Sequence, residues 1–243
     1  MNKPACRPIT VSWARDVDEV REAQRLRFAV FSGEMGARLH TPVPGHDIDR
    51  FDDYCEHLLV RATSSKEVIG TYRVLTPAQA VRAGGTYTAN EFNLAPLGAI
   101  SSRMAELGRS CVHRDHRQGP VILALWSALA RFMDEHDLDT MIGCASMPLQ
   151  GGSSAAGVWD RVRHTHLAPA LLRVQPHLPL PLPDYAAGAP WADPPALIKG
   201  YLRLGAKVLG PPAWDPDFQT ADLPMLMRMA DLPARYRRQA CAA

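Results

Sequence analysis

Apolar and polar positions alternate in short runs along much of this chain, with longer helical patterns set between them. Ile9 to Trp13 alternates as a short strand. Asp16 then stands as an N-cap for a helix reaching about Gly33, on whose wheel Val17, Val20, Ala23, Phe28 and Phe31 share one arc. The stretches "HLLVRAT" and "VIGTYRVL" read as two strands joined by an "SSKE" hairpin turn. In the second of them Ile69, Thr71, Arg73 and Leu75 fall on one face. Thr76 and Pro77 open a helix that Gly84 and Gly85 close. "MAELGRSCV", residues 104–112, is a further strand, followed by a loop, "HRDHRQG", and an amphipathic helix from Pro120 to about His136. Val121, Leu125, Leu129, Phe132 and Met133 share one side of that helix. "TMIGCAS" follows at once, and strand, helix, strand is a crossover that implies parallel pairing. Beyond Ser146 the chain is proline-rich up to "DPPALIKGYLRLG", a helix capped by Asp193 and stopped by Gly205. "DLPMLMRM" is the last strand and "ARYRRQACAA" a loose basic tail. Together these elements predict a single α/β domain over residues 1–243, with flexible first residues and a mixed, mostly antiparallel sheet.

Against this pattern, three strands or helix faces carry charges where apolar residues belong. Arg27 falls within the apolar arc of the first helix, Arg73 shares a side with Ile69 and Leu75, and "MAELGRSCV" carries both Glu106 and Arg109. A buried charge costs several kcal/mol unless it is paired or put to chemical use. Between the first helix and "HLLVRAT" lies "GHDIDRFDDYCEH", where Asp47, Asp49, Asp52, Asp53 and Glu56 crowd a turn. This is either a solvated acidic loop or a pocket for a cation, and Asp49 and Asp52 are the predicted partners of Arg27 and Arg73.

The composition narrows the class without choosing the chemistry. With 47% hydrophobic and 21% charged residues and a formal net charge of +2, the 243-residue chain is an ordinary globular protein, too mildly basic to argue for nucleic acid. Five scattered cysteines with no C-x-x-C suit a reducing cytoplasm. No secretory signal opens the sequence, and no run approaches a membrane span, so any contact with an inner membrane would be peripheral. His113, His116, His164 and His166 lack the spacing of a zinc site, and no bound metal or cofactor is expected. Cys111 and His113 alternate on one strand face, but without a third activating group they read as buried strand residues.

Glu106 and Arg109 lie three positions apart, so a regular strand would point them to opposite faces. A bulge at Gly108 would return both to one side, splay the strand from its neighbour and leave backbone N–H groups free for a thioester carbonyl. Glu106 could then take a proton from an attacking amine. The competing reading makes Glu106 the ion-pair partner of Arg27 or Arg73. In the following loop, Arg114 or Arg117 with the helix start can meet a phosphate.

Taken in order, "LRFAVF", "DIDRFDDYCEHLLV", "VIGTYRVL", "ELGRSCVHRDHRQGPVILALW", "IGCAS", "HLAPALLRV", "PPALIKGYLRLGAKV" and "FQTADLPMLM" resemble the bacterial L-ornithine N-alpha-acyltransferases of ornithine-lipid synthesis, over roughly residues 10–240. That family is similar in turn to acyl-homoserine-lactone synthases, which share the arginine before V-F, the D-x-x-D, the second-strand arginine and an E-x-x-R strand. The resemblance implies a GNAT-like fold whose splayed central strands are flanked by helices and clasp a pantetheine arm. It also implies Glu106 and Arg109 as catalytic residues, and Arg27, Asp49, Asp52 and Arg73 as substrate-binding ones. The reaction implied is transfer of a 3-hydroxyacyl group to the alpha-amine of L-ornithine. The GNAT phosphate loop would fall on His116, Gly119 and Val121, losing its first and last residues. That departure points away from coenzyme A and towards an acyl carrier protein as donor and partner, docking at Arg114, Arg117 and Gly119. The alternatives are synthesis of an acyl-homoserine lactone or another N-acyl amino acid, and a non-catalytic module that binds acyl carrier protein or membrane.

Overall fold

The computed structural model describes residues 8–117, 120–149, 155–181 and 192–233. The first residues, Gly119 and the basic tail lie outside them. The strands and helices in chain order are β1 (Ile9–Trp13), α1 (Val17–Phe28), β2 (Glu56–Ala62), β3 (Val68–Leu75), α2 (Pro77–Arg82), α3 (Tyr87–Glu91), β4 (Phe92–Asn93), β5 (Met104–Val112), α4 (Pro120–Glu135), β6 (Thr140–Pro148), α5 (Ala155–Thr165), β7 (Gln175–Pro176), α6 (Ala196–Arg203), β8 (Lys207–Val208), β9 (Ala213–Asp215) and β10 (Thr220–Arg228). The main sheet runs β1-β2-β3-β5-β6-β10-β8, with β9 also on β10, and a separate ribbon joins β4 to β7. Every ladder of the main sheet is antiparallel except β5–β6, which the α4 crossover makes parallel.

Local chemistry explains most element ends. Asp16 caps α1 by accepting from the backbone N–H groups of Asp18 and Glu19. Thr76 and Gln79 form a capping box at α2, which ends at Gly84 and Gly85, both at positive φ. The predicted helix to Gly33 is present, but its last turns, Ala29–Glu34, widen into a π-helix. Its first apolar residue, Val17, is exposed, and the buried arc starts at Ala23 and continues through Leu26 and Arg27. One predicted cap is corrected: Pro195, not Asp193, occupies the N-cap position of α6, because Asp193 is drawn out to Lys199 and Arg161.

The main core lies between the sheet and α4, where Val121, Leu125, Leu129, Phe132 and Met133 pack on Leu58, Val60, Val74 and Ala105. That packing fixes β5, and β5 carries the site.

Candidate active site

Strands β5 and β6 pair at Met104↔Thr140, Ala105↔Met141 and Glu106↔Ile142, and the ladder then stops. One residue on, the fork is crowded: a Cβ on Gly143 would stand 2.3 Å from the Leu107 carbonyl oxygen. Beyond it β6 stays with β10 and β5 stays with β3. The predicted bulge exists, one residue later than predicted. The β3–β5 register shifts between Thr71 and Arg73, and Arg109 itself takes the extra position at φ +49°. This left-handed backbone is uncommon for a non-glycine residue and costs energy that surrounding contacts must meet. Those contacts are ion pairs to Asp47 (3.2 Å) and Asp49 (3.0 Å), with the guanidinium lying 4.8 Å from the Tyr87 ring and 4.9 Å from the Phe218 ring.

Glu106 and Arg109 therefore do face one cavity, of about 130 Å³, at the fork. Among the described residues Glu106 has no arginine partner, and Arg27 and Arg73 are paired with the acidic turn. It accepts instead from the backbone N–H groups of Tyr87 (2.8 Å) and Thr88 (2.6 Å) and from the Thr88 hydroxyl (2.5 Å) at the start of α3. A carboxylate has about four acceptor positions. Three are thus occupied, and the side chain still lines the cavity.

Within the acidic turn Asp47 and Asp52 are buried and Asp49 is half-buried, while Asp53 is exposed, so the part that carries the ion pairs is not a solvated loop. Arg27, with 0% exposure, donates to Asp47 and Asp52, and Arg73 donates to Asp49 at 2.6 Å and Asp52 at 2.9 Å. Burial favours the neutral form of Asp52, but Arg27 and then Arg73 outweigh it and hold its carboxyl well below the usual range. Asp49 is held low in the same way by Arg73 and Arg109 against the effect of burial. Burial pushes down the imidazole of His57, whose Nε2 stands 3.0 Å from the Asp52 carbonyl oxygen, and so favours its neutral form. Asp47 belongs to this group as much as Asp49 does, although its place in the sequence did not distinguish it from its acidic neighbours.

Two further cavities meet the fork. An apolar one of about 40 Å³ is lined by Leu107, Trp126, Ile142 and Met225 and closed by the hydrogen-bonded hydroxyls of Tyr72 and Tyr201, 2.8 Å apart. A polar one of about 580 Å³ contains Arg38, Arg50, Asp47 and Asp49. It shares Tyr87, Arg109 and Phe218 with the fork cavity, so Arg109 between its two rings forms the wall between them. Cys111 is buried against Leu26, Val30 and Phe31, and burial pushes its thiol up to about 12, which removes it as a nucleophile. Arg114 and Arg117 lie in the exposed loop before α4, away from the acidic group, with Arg117 held to Glu34 at 2.6 Å.

A GNAT acetyltransferase domain model matches residues 26–127. The L-ornithine N(alpha)-acyltransferase of Rhodobacter capsulatus is 36% identical over 92% of this chain and 91% of its own, and that of Brucella abortus 35% identical over 89% and 83%. The chain belongs to the L-ornithine N(alpha)-acyltransferase family. The chain is an N-acyltransferase. Among solved structures, the acyl-homoserine-lactone synthase LasI superposes with a TM-score of 0.56 at 15% identity, over 92% of this chain and 91% of that one. FeeM, an N-acyl amino acid synthase from uncultured soil microbes, does so with a TM-score of 0.52 at 10% identity, over 96% and 94%. Both likenesses speak to the fold.

Residues that the family motifs do not mark complete the fork. Tyr87 and Thr88 bind Glu106, and Asp215 and Asp222 line the same cavity. Asp222 carried the same signal as Glu106, an acid inside an apolar strand, "TADLPMLM", and that signal alone would have found it.

Proposed function

We propose that this enzyme moves a 3-hydroxyacyl group from the pantetheine thioester of an acyl carrier protein to the alpha-amine of L-ornithine, giving lyso-ornithine lipid. The observation that carries the reading is the fork itself: strand β5 loses its partner immediately after Glu106, with an apolar cavity on one side and charged cavities on the other. An acyl chain needs the first, an amino acid the second, and a thioester carbonyl needs unpaired backbone N–H groups where they meet. Donor and acceptor are read from the family relationship.

In this reading Glu106 is the proton acceptor. Its three hydrogen bonds fix the carboxylate and leave one acceptor position for the incoming amine, directly or through water. Held in this place, the carboxylate can attract an ammonium, take its proton and pass it on. Arg109 shapes the wall between the cavities and offers its guanidinium to the acceptor's carboxylate. Arg27, Arg73, Asp49 and Asp52 act on the substrate through Arg109, by holding the turn against which it rests.

The donor contacts are the exposed Arg114 and Arg117, with Gly119 in the same loop. The coenzyme A-dependent synthase BjaI has the same fold, so a direct contest of donors is the informative one. Purified enzyme should form amide-linked hydroxyacyl ornithine, seen by mass spectrometry, from acyl carrier protein thioester and much less from the coenzyme A thioester. Equal use of both would remove the carrier assignment, and absence of any acylated ornithine in lipid extracts of an expressing host would remove the acceptor. Glu106→Gln should keep the fold and lose about a hundredfold or more in turnover.

A further inference from the structure

Glu91 ends α3, Cys144 lies on β6 and Asp222 on β10, and their ligand atoms all fall within 4.8 Å of one another. Asp215 of β9 adds a third carboxylate, held by the Tyr87 hydroxyl at 3.0 Å and by the backbone N–H groups of Asp217 and Phe218. Asp222 is 2% exposed and accepts from the Thr220 hydroxyl. Both carboxylate oxygens of Glu91 are shielded from solvent and have no hydrogen-bond partner. Among the described residues no lysine or arginine forms an ion pair with any of these three acids. The charged and titratable groups that face them are Tyr87 from α3, Glu106 and Arg109 from β5, and Cys144 from β6. Arg109, the nearest cation, is already committed to Asp47 and Asp49.

An unneutralised acidic trio in a desolvated site is costly, and it opens on the reaction cavity: Asp215, Asp222 and Cys144 line it with Glu106. Thr88 and Cys144 bridge the distance from Glu106, since the Thr88 hydroxyl is 2.5 Å from Glu106 and 3.8 Å from the Cys144 sulfur. The cavity therefore offers two anionic positions a short aliphatic chain apart. We infer that Asp222, backed by Glu91 and Asp215, is the subsite for the side-chain ammonium of the amino acid acceptor, so that this trio selects a diamino acid over a neutral one. The inference rests on the reading of ornithine as acceptor. It gives the ammonium to this trio and not to Asp49 and Asp52, whose charge the arginines already meet. A neutral acceptor would leave the trio unpaired, which is how a buried polar site rejects an analogue lacking the matching group. Burial raises Asp222 above the ordinary carboxylate range, and burial together with Asp222 raises Glu91 further, so an arriving ammonium should expel protons.

Calorimetric titration of the full chain with L-ornithine, L-norvaline and 1,4-diaminobutane, repeated in buffers of different ionisation enthalpy, tests this. L-Ornithine should bind at least tenfold tighter than L-norvaline, with proton release near neutral pH. Asp222→Asn should lose tenfold or more for ornithine, leave norvaline unchanged and reduce the release, and Glu91→Gln should reduce the release. A thermal melt of each variant verifies its fold. Folded Asp222→Asn binding ornithine with wild-type affinity and preference would overturn the inference. If the wild type bound the diamine but not ornithine, and Asp222→Asn abolished that, the cation subsite would stand and the acceptor assignment would fall. Binding of no cationic amine by the wild type would overturn both.

Discussion

Two groups of three acids lie near Arg109, and the fold treats them in opposite ways. Asp47, Asp49 and Asp52 face Arg27, Arg73 and Arg109, charge for charge, with hydrogen bonds to most of the donors. Glu91, Asp215 and Asp222 face no such partner among the described residues. The first group is complete without a ligand, and it serves to hold an arginine at positive φ and a long turn against the sheet. The second is incomplete: in the free enzyme retained protons offset part of its charge, and an arriving cation displaces them. Within one site, then, the neutralised acids belong to the architecture and the unneutralised ones to the substrate.

The comparison breaks most visibly at Asp52. Asp52→Ala would leave Arg27 and Arg73 buried without a counter-charge and should destabilise the protein by about 3–5 kcal/mol, measured as a shift of the urea midpoint. The pH dependence follows from the sign of the perturbation. The folded-state pKa of Asp52 lies below its unfolded value of about 3.9, so its contribution is present above that pH and is lost as pH falls through the folded value. The variant should therefore lack part of the wild type's stability loss in acid. A cost below 1 kcal/mol would mean that the arginines find other partners.

The second group should respond in the reverse direction. Folded-state values raised above the unfolded ones give stability that is present below the unfolded pKa and lost as pH rises through the folded one. Asp222→Asn removes that loss and should stabilise the ligand-free enzyme by about 1–3 kcal/mol at neutral pH, with little change near pH 4. A variant less stable than wild type at both pH values would show that Asp222 is structural.

Sequence pattern reached the first group and not the second for a physical reason. Arg27 and Arg73 betray themselves by breaking an apolar period, and the acidic turn lies in one short segment, so both halves of each pair are visible. The bulge was legible from the spacing of Glu106 and Arg109, but its position was not. Gly108 is the residue on which a bulge is cheap, yet the ion pairs of Arg109 draw the left-handed backbone one residue on. Asp193 misled for a similar reason: a good cap residue was taken by Lys199 and Arg161. Glu91, Asp215 and Asp222 come from α3, β9 and β10, and only the β10–β6 ladder, pairing Asp222 with Ser146, brings two distant segments together at Cys144.

A smaller effect is expected at Gly143, which sets how far the second group stands from Glu106. In Gly143→Ala the new Cβ meets the Leu107 carbonyl, a backbone atom that cannot swing aside, so β6 must move off β5 and carry Cys144 with it. The strain should cost about 1–3 kcal/mol. Turnover should fall further than stability suggests, since the fork widens where the thioester sits. A variant that melts lower but turns over normally would place the reacting carbonyl elsewhere.

The smallest effect calibrates both groups against a charge pair that is mostly solvent-exposed. Arg117 and Glu34 are 2.6 Å apart, but Arg117 is about half exposed, and such pairs contribute about 0–1 kcal/mol. Replacing Arg114 and Arg117 by alanine should therefore leave the urea midpoint almost unmoved. Its consequence should fall on the donor. A carrier protein is typically acidic, and attraction at this edge acts through solvent, where the screening length is about 8 Å at physiological ionic strength. The double variant should raise the apparent KM for acyl carrier protein, weaken the salt dependence of that KM, and leave the KM for ornithine unchanged, because neither side chain reaches the acidic groups. A rise in the ornithine KM would mean that the loop before α4 reaches the amino acid site, and an unchanged carrier KM would put donor docking on another face.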